Sequence, residues 1–599
     1  MKIIAIHPGH NATIAYFDNG KCINIFHEEK FSNIKNHAGF PHKSLDYLNN
    51  LYNFSEVDFI IFSITDLLWM NSPFEGEKKN GEFTYYEGNI FENLSRGSIL
   101  RKIWDFFEYY IPFKKIFFHI RNIIIKLFIT PKVKGKIIKY LRKKYKFNKD
   151  QIMFLDHHYS HAVSVSYFYN LMNYNKKVLI FSMDGAGDKK FAKVYILNPE
   201  EKNLKLISES DFTASIGLLY SGVTDFLGMK PNEHEYKVMG LAAYVNEEKY
   251  YKKVYDEFKK IIWLDNKTLK FHSKFNMNLT GTSNMFLKHK MLRVRFDNLS
   301  AGLQRFTEDM VIDWILAAIK NTGIKTIACT GGVFMNVKMN QKIQELEQVE
   351  KVFFMPSCGD ESTVLNAADI YYKNNISTLS DELMYKGHKY TNEEVEKFLT
   401  EKGYFKKYKI KEYNDIEKQI VLLLKDFNIV ARFKGAGEWG ARSLCNRAIL
   451  GNASDLRTFY EVNDMIKMRD FWMPFAPTIL DTWADKYIKN WNKLKDKIIE
   501  STRYMITAFD ATELATKHLR AAIHQKDKTL RPQIAFEKDN PELYKLLKYY
   551  EEIIGMGGLL NTSLNIHGYP LVGTLEQAFF TFDNSGLIYM AVENYLVEK

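Results

Sequence analysis

The sequence predicts a mixed α/β (α+β) fold built from more than one domain. Short apolar segments end in turns rich in glycine and aspartate, and helical segments follow several of these turns. The chain has 599 residues, which is too long for one core, so about two to four domains are expected. With 46% hydrophobic and 15% aromatic residues, it can bury a large interior.

The first forty residues predict three strands, at 1–6, 12–17 and 21–27. A Pro-Gly-His-Asn turn separates the first two strands, and Asn19-Gly20 is typical of a two-residue hairpin. Residues 1–6 form a short apolar strand and lack the long apolar region of a signal peptide.

A histidine pair and an aspartate at a strand end predict a metal site beside a phosphate site. If the segment from His157 is helical, His157 and His161 lie one turn apart on one face, where two imidazoles can share a divalent cation. The apolar strand at 178–183 then delivers Asp184 as an oxygen ligand. A lone His-x3-His pair is more often accidental, but here a glycine-rich turn follows, where backbone amides can approach a phosphate. That turn contains Gly185, Gly187 and Asp188.

Further along the chain, Glu235 and Lys237 flank an apolar tract, either as helix-end charges or beside a nucleotide. Gly331 and Gly332 follow the strand at 326–330 and let the backbone lie flat against a nucleotide, with Asn336 one turn into the next helix as a donor. Asp360 follows the strand at 352–355 as Asp184 follows its own strand. The two carboxylates are therefore expected to meet across a pair of related halves.

The C-terminal part holds arginines, a lysine and asparagines in separate segments. Guanidinium groups bind phosphate in a bidentate manner, so their convergence would suit an anionic small molecule. Taken singly, each arginine is more often a surface salt-bridge residue. The candidates are Arg442, Lys467, Arg469, Arg531, Asn561 and Asn565.

The net charge of +12 is concentrated at residues 101–149. There, 103–128 mixes aromatic and aliphatic residues with lysines, and 132–149 is densely basic. An inserted helical hairpin is favoured, and an amphipathic helix with weak membrane-surface contact is the alternative. The four cysteines form no Cys-x-x-Cys pair, so a reducing cytoplasm is expected. The sequence shows no apolar run long enough for a transmembrane helix.

Over nearly its whole length, the chain resembles the O-carbamoyltransferases of the nodulation and antibiotic-tailoring type. Nine ordered motifs carry this resemblance: Gly9-His10-Asn11-Ala12, Asp156-His157-His158 with His161-Ala162, Asp184-Gly185-Ala186-Gly187-Asp188, Lys237-Val238-Met239-Gly240-Leu241-Ala242, Gly331-Gly332-Val333 with Asn336, Gly359-Asp360, Glu438-Trp439-Gly440 with Arg442 and Asn446-Arg447, Pro474-Phe475-Ala476-Pro477, and Asn561-Thr562-Ser563 with Asn565.

The resemblance implies an actin-like, threonylcarbamoyl-transfer type domain at 1–380, with a basic helical insertion at about 95–149. It implies a YrdC-like, carbamoyl-adenylate-forming domain at 395–599. In the family, the second domain hydrolyses carbamoyl phosphate to carbamate and joins it to AMP from ATP. The first domain then transfers the carbamoyl group to a hydroxyl acceptor.

The resemblance also implies roles for single residues. The metal ligands would be His157, His161, Asp184 and Asp360, with iron(II) expected and magnesium as an alternative. His10 would lie near the acceptor, where a neutral imidazole can take its proton. Lys35 stands in a segment that is catalytic in the family. Phosphate and nucleotide contacts would come from Arg442, Lys467 and Arg531.

Five positions depart from the family pattern: Asn11, Asn36, Ala436, Met473 and Tyr569. Two of them replace arginines, and each lost charge-assisted contact would cost about 1.5–3 kcal/mol of donor binding. Whether carbamoyl phosphate is the donor therefore stays open.

We expect an ATP- and metal-dependent carbamoyltransferase that acts on a small-molecule acceptor in natural-product biosynthesis. A divergent relative that activates another carboxylate or acyl phosphate is the alternative. A tRNA-modifying or RNA-binding protein is a rival from another class, although a nucleic-acid partner is not expected. A homodimer is compatible with these expectations.

Overall fold

The computed structural model describes residues 1–66, 130–274, 282–378, 380 and 384–599. Its strands are β1 (Lys2–His7), β2 (Thr13–Asp18), β3 (Lys21–His27), β4 (Phe59–Phe62), β5 (Ile152–Phe154), β6 (Val178–Gly187), β7 (Lys190–Asn198), β8 (Asn203–Asp211), β9 (Ile262–Asp265), β10 (Lys270–Ser273), β11 (Thr326–Thr330), β12 (Lys351–Phe354), β13 (Lys409–Glu412), β14 (Val430–Phe433), β15 (Arg447–Gly451), β16 (Ala476–Leu480), β17 (Phe509–Asp510), β18 (Thr529–Leu530), β19 (Gln533–Ala535), β20 (Gly558–Ser563), β21 (Tyr589–Val592) and β22 (Tyr595–Glu598).

Its α-helices are α1 (Glu28–Ser32), α2 (His42–Leu51), α3 (Thr130–Tyr145), α4 (His157–Phe168), α5 (Ile216–Phe226), α6 (Glu235–Ala242), α7 (Glu248–Lys259), α8 (Thr282–Lys290), α9 (Phe296–Thr322), α10 (Val337–Glu345), α11 (Ala368–Lys373), α12 (Asn392–Glu401), α13 (Tyr404–Lys407), α14 (Ile416–Lys425), α15 (Leu456–Val462), α16 (Ala484–Tyr487), α17 (Trp491–Ile498), α18 (Glu513–His518), α19 (Pro541–Ile554) and α20 (Leu575–Asp583).

The chain forms two compact units, which we number by chain order. Unit 1 comprises Met1–Ile23, Asn36–Met335 and Cys358–Ser380, and unit 2 comprises Asn24–Lys35, Asn336–Ser357 and Asp381–Lys599. Two short segments from the N-terminal half thus group with the C-terminal part. The domain boundaries predicted at 1–380 and 395–599 stay a prediction.

Unit 1 contains two sheets built on one repeated pattern. In the first, whose unit 1 strands run in the order β2-β1-β4-β5, β1 is antiparallel to β2 and parallel to β4. In the second, β6 is antiparallel to β7 and parallel to β11, while β7 is antiparallel to β8. The predicted strands at 1–6, 12–17 and 21–27 are confirmed to within one residue. The repeat gives β1 and β6 equivalent places in two related halves.

Unit 2 is built on a mixed eight-stranded sheet of order β13-β22-β21-β14-β15-β20-β16-β19. Most neighbours are antiparallel, whereas β14 with β21 and β16 with β19 are parallel. Helices α14 and α19 supply buried leucines and isoleucines to a core shared with this sheet. The Asn540 side chain caps α19, and Gly555 ends it in the left-handed region. The predicted mixed α/β fold class is confirmed.

The predicted basic insertion at about 95–149 lies in part outside the described residues. Helix α3, its described portion, buries the ridge Val133, Ile137 and Leu141. Most of its lysines are exposed on the opposite face. The apolar ridge is buried in the protein, and membrane-surface contact stays a prediction. None of the helices in the described ranges has the length and apolar character needed to cross a bilayer.

Candidate metal centre and anion site

Helix α4 presents two histidines of the predicted metal site on one face. Asp156 is the N-cap, and its side chain accepts a hydrogen bond from the Tyr159 amide at 2.9 Å. The helix that starts at His157 therefore confirms the predicted one-turn spacing of His157 and His161. Both imidazoles are buried, so their ring nitrogens need partners inside the protein.

Asp184 reaches the same place from the end of β6. The strand continues to residue 187 with a register shift after Met183, and this bulge re-aims the Asp184 side chain. Asp184 Oδ2 lies 3.2 Å from His161 Nε2 and 3.6 Å from His157 Nε2. A Cβ at Gly187 would come within 2.0 Å of the His157 ring. Glycine at this position therefore makes room for the histidine.

Asp360 completes the cluster from the first turn of the 3-10 helix at Asp360–Ala367. Its Oδ1 lies 3.4 Å from His157 Nε2 and 3.6 Å from His161 Nε2. One ligand atom from each of the four side chains lies within 4.8 Å of the others. Two ligands held about 2.1 Å from one cation are separated by about 3.0–3.4 Å at tetrahedral or octahedral angles. The observed spacing is close to that range.

Unpartnered buried atoms show that the cluster suits a cation. His157 Nε2, His161 Nε2 and Asp184 Oδ2 are buried without hydrogen bonds. Burial alone would lower the pKa of His157, but the carboxylates of Asp360 and Asp184 raise it well above 6.5. Burial would raise the pKa of Asp360, and the histidines instead lower it well below 3.8. Two imidazoles and two carboxylates are a donor set that suits a divalent transition metal.

Asp188 serves the protein's own backbone. Its carboxylate accepts hydrogen bonds from the amides of Thr65 at 3.0 Å, Asp66 at 2.5 Å and His157 at 2.8 Å. It thereby fixes the start of α4 and the end of β4. Its predicted nucleotide contact gains no support from this geometry, whereas a role in positioning His157 does.

The other predicted nucleotide contacts of unit 1 lie on separate elements. Glu235 starts α6 and accepts hydrogen bonds from the Ser221 hydroxyl and the Asn232 amide. Burial raises the pKa of Glu235, and nearby His10 is one of the groups that oppose this rise. Lys237 is buried two residues further on. The electrostatic influence of His10 on Glu235 is a relation that the sequence analysis did not predict.

The strand-end glycines pack against β6. Gly331 has φ of +94°, and a Cβ there would come within 2.3 Å of the Met183 carbonyl oxygen. A Cβ at Gly332 would lie 3.0 Å from Asp184 Oδ1. The backbone at these glycines lies close to Asp184 and its strand, and the predicted nucleotide contact stays a prediction. The prediction that Asn336 lies one turn into a helix is wrong, because Asn336 is the N-cap of α10 and accepts from the Met339 amide.

The sequence analysis missed His7, the last residue of β1. Its ring is 1% exposed, and its Nε2 lies 3.5 Å from Asp360 Oδ2. Burial lowers the pKa of His7, which favours the neutral ring. The available signal was its place at the end of the strand equivalent to the one that delivers Asp184.

Unit 2 holds the predicted anion-binding residues around a π-helical turn at Asn463–Lys467. Lys467 Nζ donates to Asn565 Oδ1 at 2.6 Å and to Ser563 Oγ at 3.1 Å. The Asn463 side chain accepts from the Arg469 amide at 3.0 Å and donates to the Arg469 carbonyl at 3.1 Å. Asn463, which the sequence analysis also missed, therefore holds the loop that carries both cations.

Positive charges crowd together in this loop region. Burial lowers the pKa of Lys467 well below 10.5, and the charges of Arg469 and Lys35 lower it further. Burial and the charges of Arg442 and Arg469 lower the pKa of Arg531 well below its ordinary value. Arg531 makes no hydrogen bond or ion pair with any residue that the structure describes. A cluster of cations that lower one another's pKa values fits an anionic ligand.

Lys35 belongs to unit 2, where its positive charge lowers the pKa of Lys467. Asn561 is buried and donates to the Ser443 carbonyl at 3.0 Å, so it supports the loop that precedes β15. The same loop is held by Glu438, whose Oε1 accepts from the amides of Leu444 and Asn446 at 2.8 Å. The ligand roles predicted for Lys35, Arg442 and Asn561 stay predictions.

The structure shows the contacts or the burial of three residues that depart from the family pattern. Asn11 Nδ2 donates to Glu361 Oε2 at 3.1 Å, and aspartate at this position would place like charges together. The Ala436 carbonyl accepts from Asn446 Nδ2 at 2.9 Å, and Met473 is buried. Asparagine is therefore the residue that suits position 11 in this chain.

We expect Lys467 to add to the stability of the ligand-free protein as pH rises toward 10.5, the ordinary pKa of lysine. Between the lowered folded-state pKa of Lys467 and the unfolded value of 10.5, the unfolded chain binds the extra proton, so rising pH favours folding. The check is the apparent melting temperature across this range for wild type and Lys467→Met. The variant should rise less steeply, and equal slopes would contradict the assignment. Pyrophosphate should flatten the wild-type slope, because an anion restores the charged lysine.

The two units thus define an α/β protein with a candidate metal centre in one unit and a cationic anion site in the other. The family model described as carbamoyltransferase N-terminus matches residues 2–369, and the carbamoyltransferase C-terminus model matches residues 421–599. The chain therefore belongs to the carbamoyltransferase family.

Three similar proteins illustrate the range of this family. An uncharacterized protein of Methanocaldococcus jannaschii is 30% identical over 623 residues, covering 98% of each chain. Nodulation protein NolNO of Sinorhizobium fredii is 27% identical over 458 residues, covering 75% of this chain and 64% of that protein. The 3'-hydroxymethylcephem-O-carbamoyltransferase of Amycolatopsis lactamdurans is 29% identical over 164 residues, covering 27% of this chain and 29% of that protein.

Proposed function

We propose that this protein is an ATP- and metal-dependent O-carbamoyltransferase that modifies a small-molecule hydroxyl. The observation that carries the proposal is the buried cluster of His157, His161, Asp184 and Asp360, with unpartnered atoms that face one another. Membership of the carbamoyltransferase family supports the proposal that the transferred group is carbamoyl. The four-residue cluster supports the proposal that the transfer takes place in unit 1.

Unit 2 would activate the carbamoyl group. Carbamoyl phosphate and water give carbamate and phosphate, and carbamate then attacks the α-phosphorus of ATP, forming carbamoyl adenylate and releasing pyrophosphate. Lys467, Arg469 and Arg531 would neutralise the phosphates of both substrates. Their side chains already lie together before the ligand binds, so the transition state gains stabilisation with little reorganisation.

Unit 1 would transfer the carbamoyl group from the adenylate to the acceptor hydroxyl, releasing AMP. His157, His161, Asp184 and Asp360 would hold a divalent cation, for which we propose iron(II). Bound there, such an ion would supply Lewis acidity toward the adenylate phosphate. His10 would accept the proton of the attacking hydroxyl, and the Glu235 carboxylate, which interacts electrostatically with His10, would stabilise the imidazolium that forms.

The acceptor class follows from named relatives. One relative is an O-carbamoyltransferase of 3'-hydroxymethylcephem, which is a small molecule with a primary hydroxyl. We extend this class, a hydroxyl of a natural product, to the present chain. Donor identity is a separate question, because Met473 and Ala436 stand where arginines would bind carbamoyl phosphate. A related acyl phosphate or carboxylate is therefore the second candidate donor.

Pyrophosphate release from ATP tests the proposal. The purified protein should release pyrophosphate in the presence of carbamoyl phosphate, and an accepted hydroxyl compound should gain about 43 mass units, the carbamoyl group in place of hydrogen. Release that requires acetyl phosphate or a free carboxylate instead would support the second donor. ATP consumption with no donor dependence, or salt-sensitive tRNA binding without any transfer, would contradict the proposed function.

A further inference from the structure

His7 occupies a place in unit 1 that the metal cluster leaves unexplained. It ends β1, as Asp184 follows the apolar part of β6, and these strands are equivalent in the two related halves. The second pair of site residues repeats this relation, since His157 follows β5 in the chain and Asp360 follows β12. His7 is thus the counterpart of Asp184, and it faces Asp360 as Asp184 faces His157.

Two hydroxyls lie beside Nδ1 of the His7 ring. Ser63 Oγ lies 2.8 Å from His7 Nδ1, and Thr363 Oγ1 lies 3.2 Å from it. The Thr363 hydroxyl donates to Ser63 Oγ at 2.8 Å and shares its one proton with the Asp360 main-chain carbonyl at 2.6 Å. With Ser63 accepting from Thr363, the Ser63 proton is directed to His7 Nδ1, and the ring proton lies on Nε2.

A proton on Nε2 is also what the other side of the ring requires. The Asp360 carboxylate can only accept hydrogen bonds, so an unprotonated Nε2 facing Oδ2 would be repelled. The gap of 3.5 Å exceeds a normal hydrogen bond by about 0.5 Å, which a small rotation of the carboxylate closes. Thr363 at the carbonyl and His7 at the carboxylate would then hold Asp360 at two points.

We propose that His7 is the positioning residue that turns Asp360 Oδ1 toward the cation by donating a hydrogen bond to Asp360 Oδ2. The two oxygens of Asp360 divide their roles, because Oδ1 faces His157 and His161 while Oδ2 faces His7. This inference rests on the proposed metal site. It adds a residue that acts through Asp360.

Three substitutions separate positioning from packing. In His7→Gln the side-chain amide reaches the place of Nε2 and can donate to Asp360, whereas His7→Asn reaches only the place of Nδ1 and His7→Ala reaches neither. Titration calorimetry with Mn²⁺ alone measures affinity, and the melting temperature of the metal-free protein measures packing. We expect Ala and Asn to weaken Mn²⁺ binding by about 10–100-fold and Gln to stay within about threefold of wild type.

Two results would overturn the inference. One is wild-type affinity in His7→Ala, and the other is an equal loss in all three variants that follows their loss of stability. If the His7 variants do not fold, Ser63→Ala decides, because it keeps His7 and removes the hydroxyl at 2.8 Å from Nδ1. It should weaken Mn²⁺ binding in the same direction, and unchanged affinity would reject the role. Wild-type protein that binds no Mn²⁺ would instead remove the proposed metal site itself.

Discussion

The Asp184→Asn variant is expected to lose Mn²⁺ affinity by more than about 100-fold, the upper end for losing an outer partner of a ligand. Its Oδ2 faces both histidines, so the substitution removes one of two negative charges from a buried site that would hold a dication. Transfer to the acceptor should fall below detection. Pyrophosphate release should continue, because the residues proposed to form the adenylate all belong to unit 2.

Asp150→Asn is the matched control, since Asp150 is an exposed carboxylate of unit 1. Titration calorimetry for the metal and separate assays for pyrophosphate and carbamoylated product measure both half-reactions. Parallel loss of the two activities in Asp184→Asn would contradict the assignment of transfer to unit 1. Unchanged Mn²⁺ affinity would contradict the ligand assignment.

Arg531→Met should lower kcat/KM for pyrophosphate release by about 10²–10⁴-fold, since a bidentate phosphate contact makes two charge-assisted hydrogen bonds. The same variant should be at least as stable as wild type without ligand. Burial and two neighbouring arginines penalise this guanidinium, and methionine relieves that penalty. Loss of activity together with gain of stability is the expected signature of a ligand-binding charge.

Arg503→Met provides the contrast, because Arg503 pairs with Asp539 at 3.2 Å. Its loss should lower the melting temperature and leave pyrophosphate release near the wild-type rate. If Arg531→Met lowers the ligand-free melting temperature as Arg503→Met does, Arg531 is a structural arginine. Mn²⁺ affinity should be unchanged in both variants.

Part of the site could be predicted from local sequence. The one-turn spacing of His157 and His161 follows from helix geometry once Asp156 is recognised as an N-cap. Asp184 and Asp360 were found because each follows an apolar strand. The carboxyl ends of strands are where a sheet exposes side chains to a ligand. An aspartate directly after an apolar strand is therefore enough to predict a candidate ligand.

Other features depend on contacts between distant segments. His7 looked like a strand residue, and only its approach to Asp360, 353 positions away, gives it a role. Asp188 accepts hydrogen bonds from the amides of residues 65, 66 and 157, and this positioning role depends on contacts that the local sequence does not show. The role of Asn463 depends on the π-helical turn at Asn463–Lys467, which brings its side chain to the Arg469 backbone. No local pattern encodes these pairings.

The most direct test of the metal assignment is anomalous diffraction from crystals of the wild-type protein grown with Fe²⁺ under anaerobic conditions. Data collected above and below the iron edge should show one strong peak in unit 1, about 2.0–2.3 Å from the Nε2 atoms of His157 and His161 and from one oxygen each of Asp184 and Asp360. A peak elsewhere, or no peak at full iron occupancy in solution, would contradict the account.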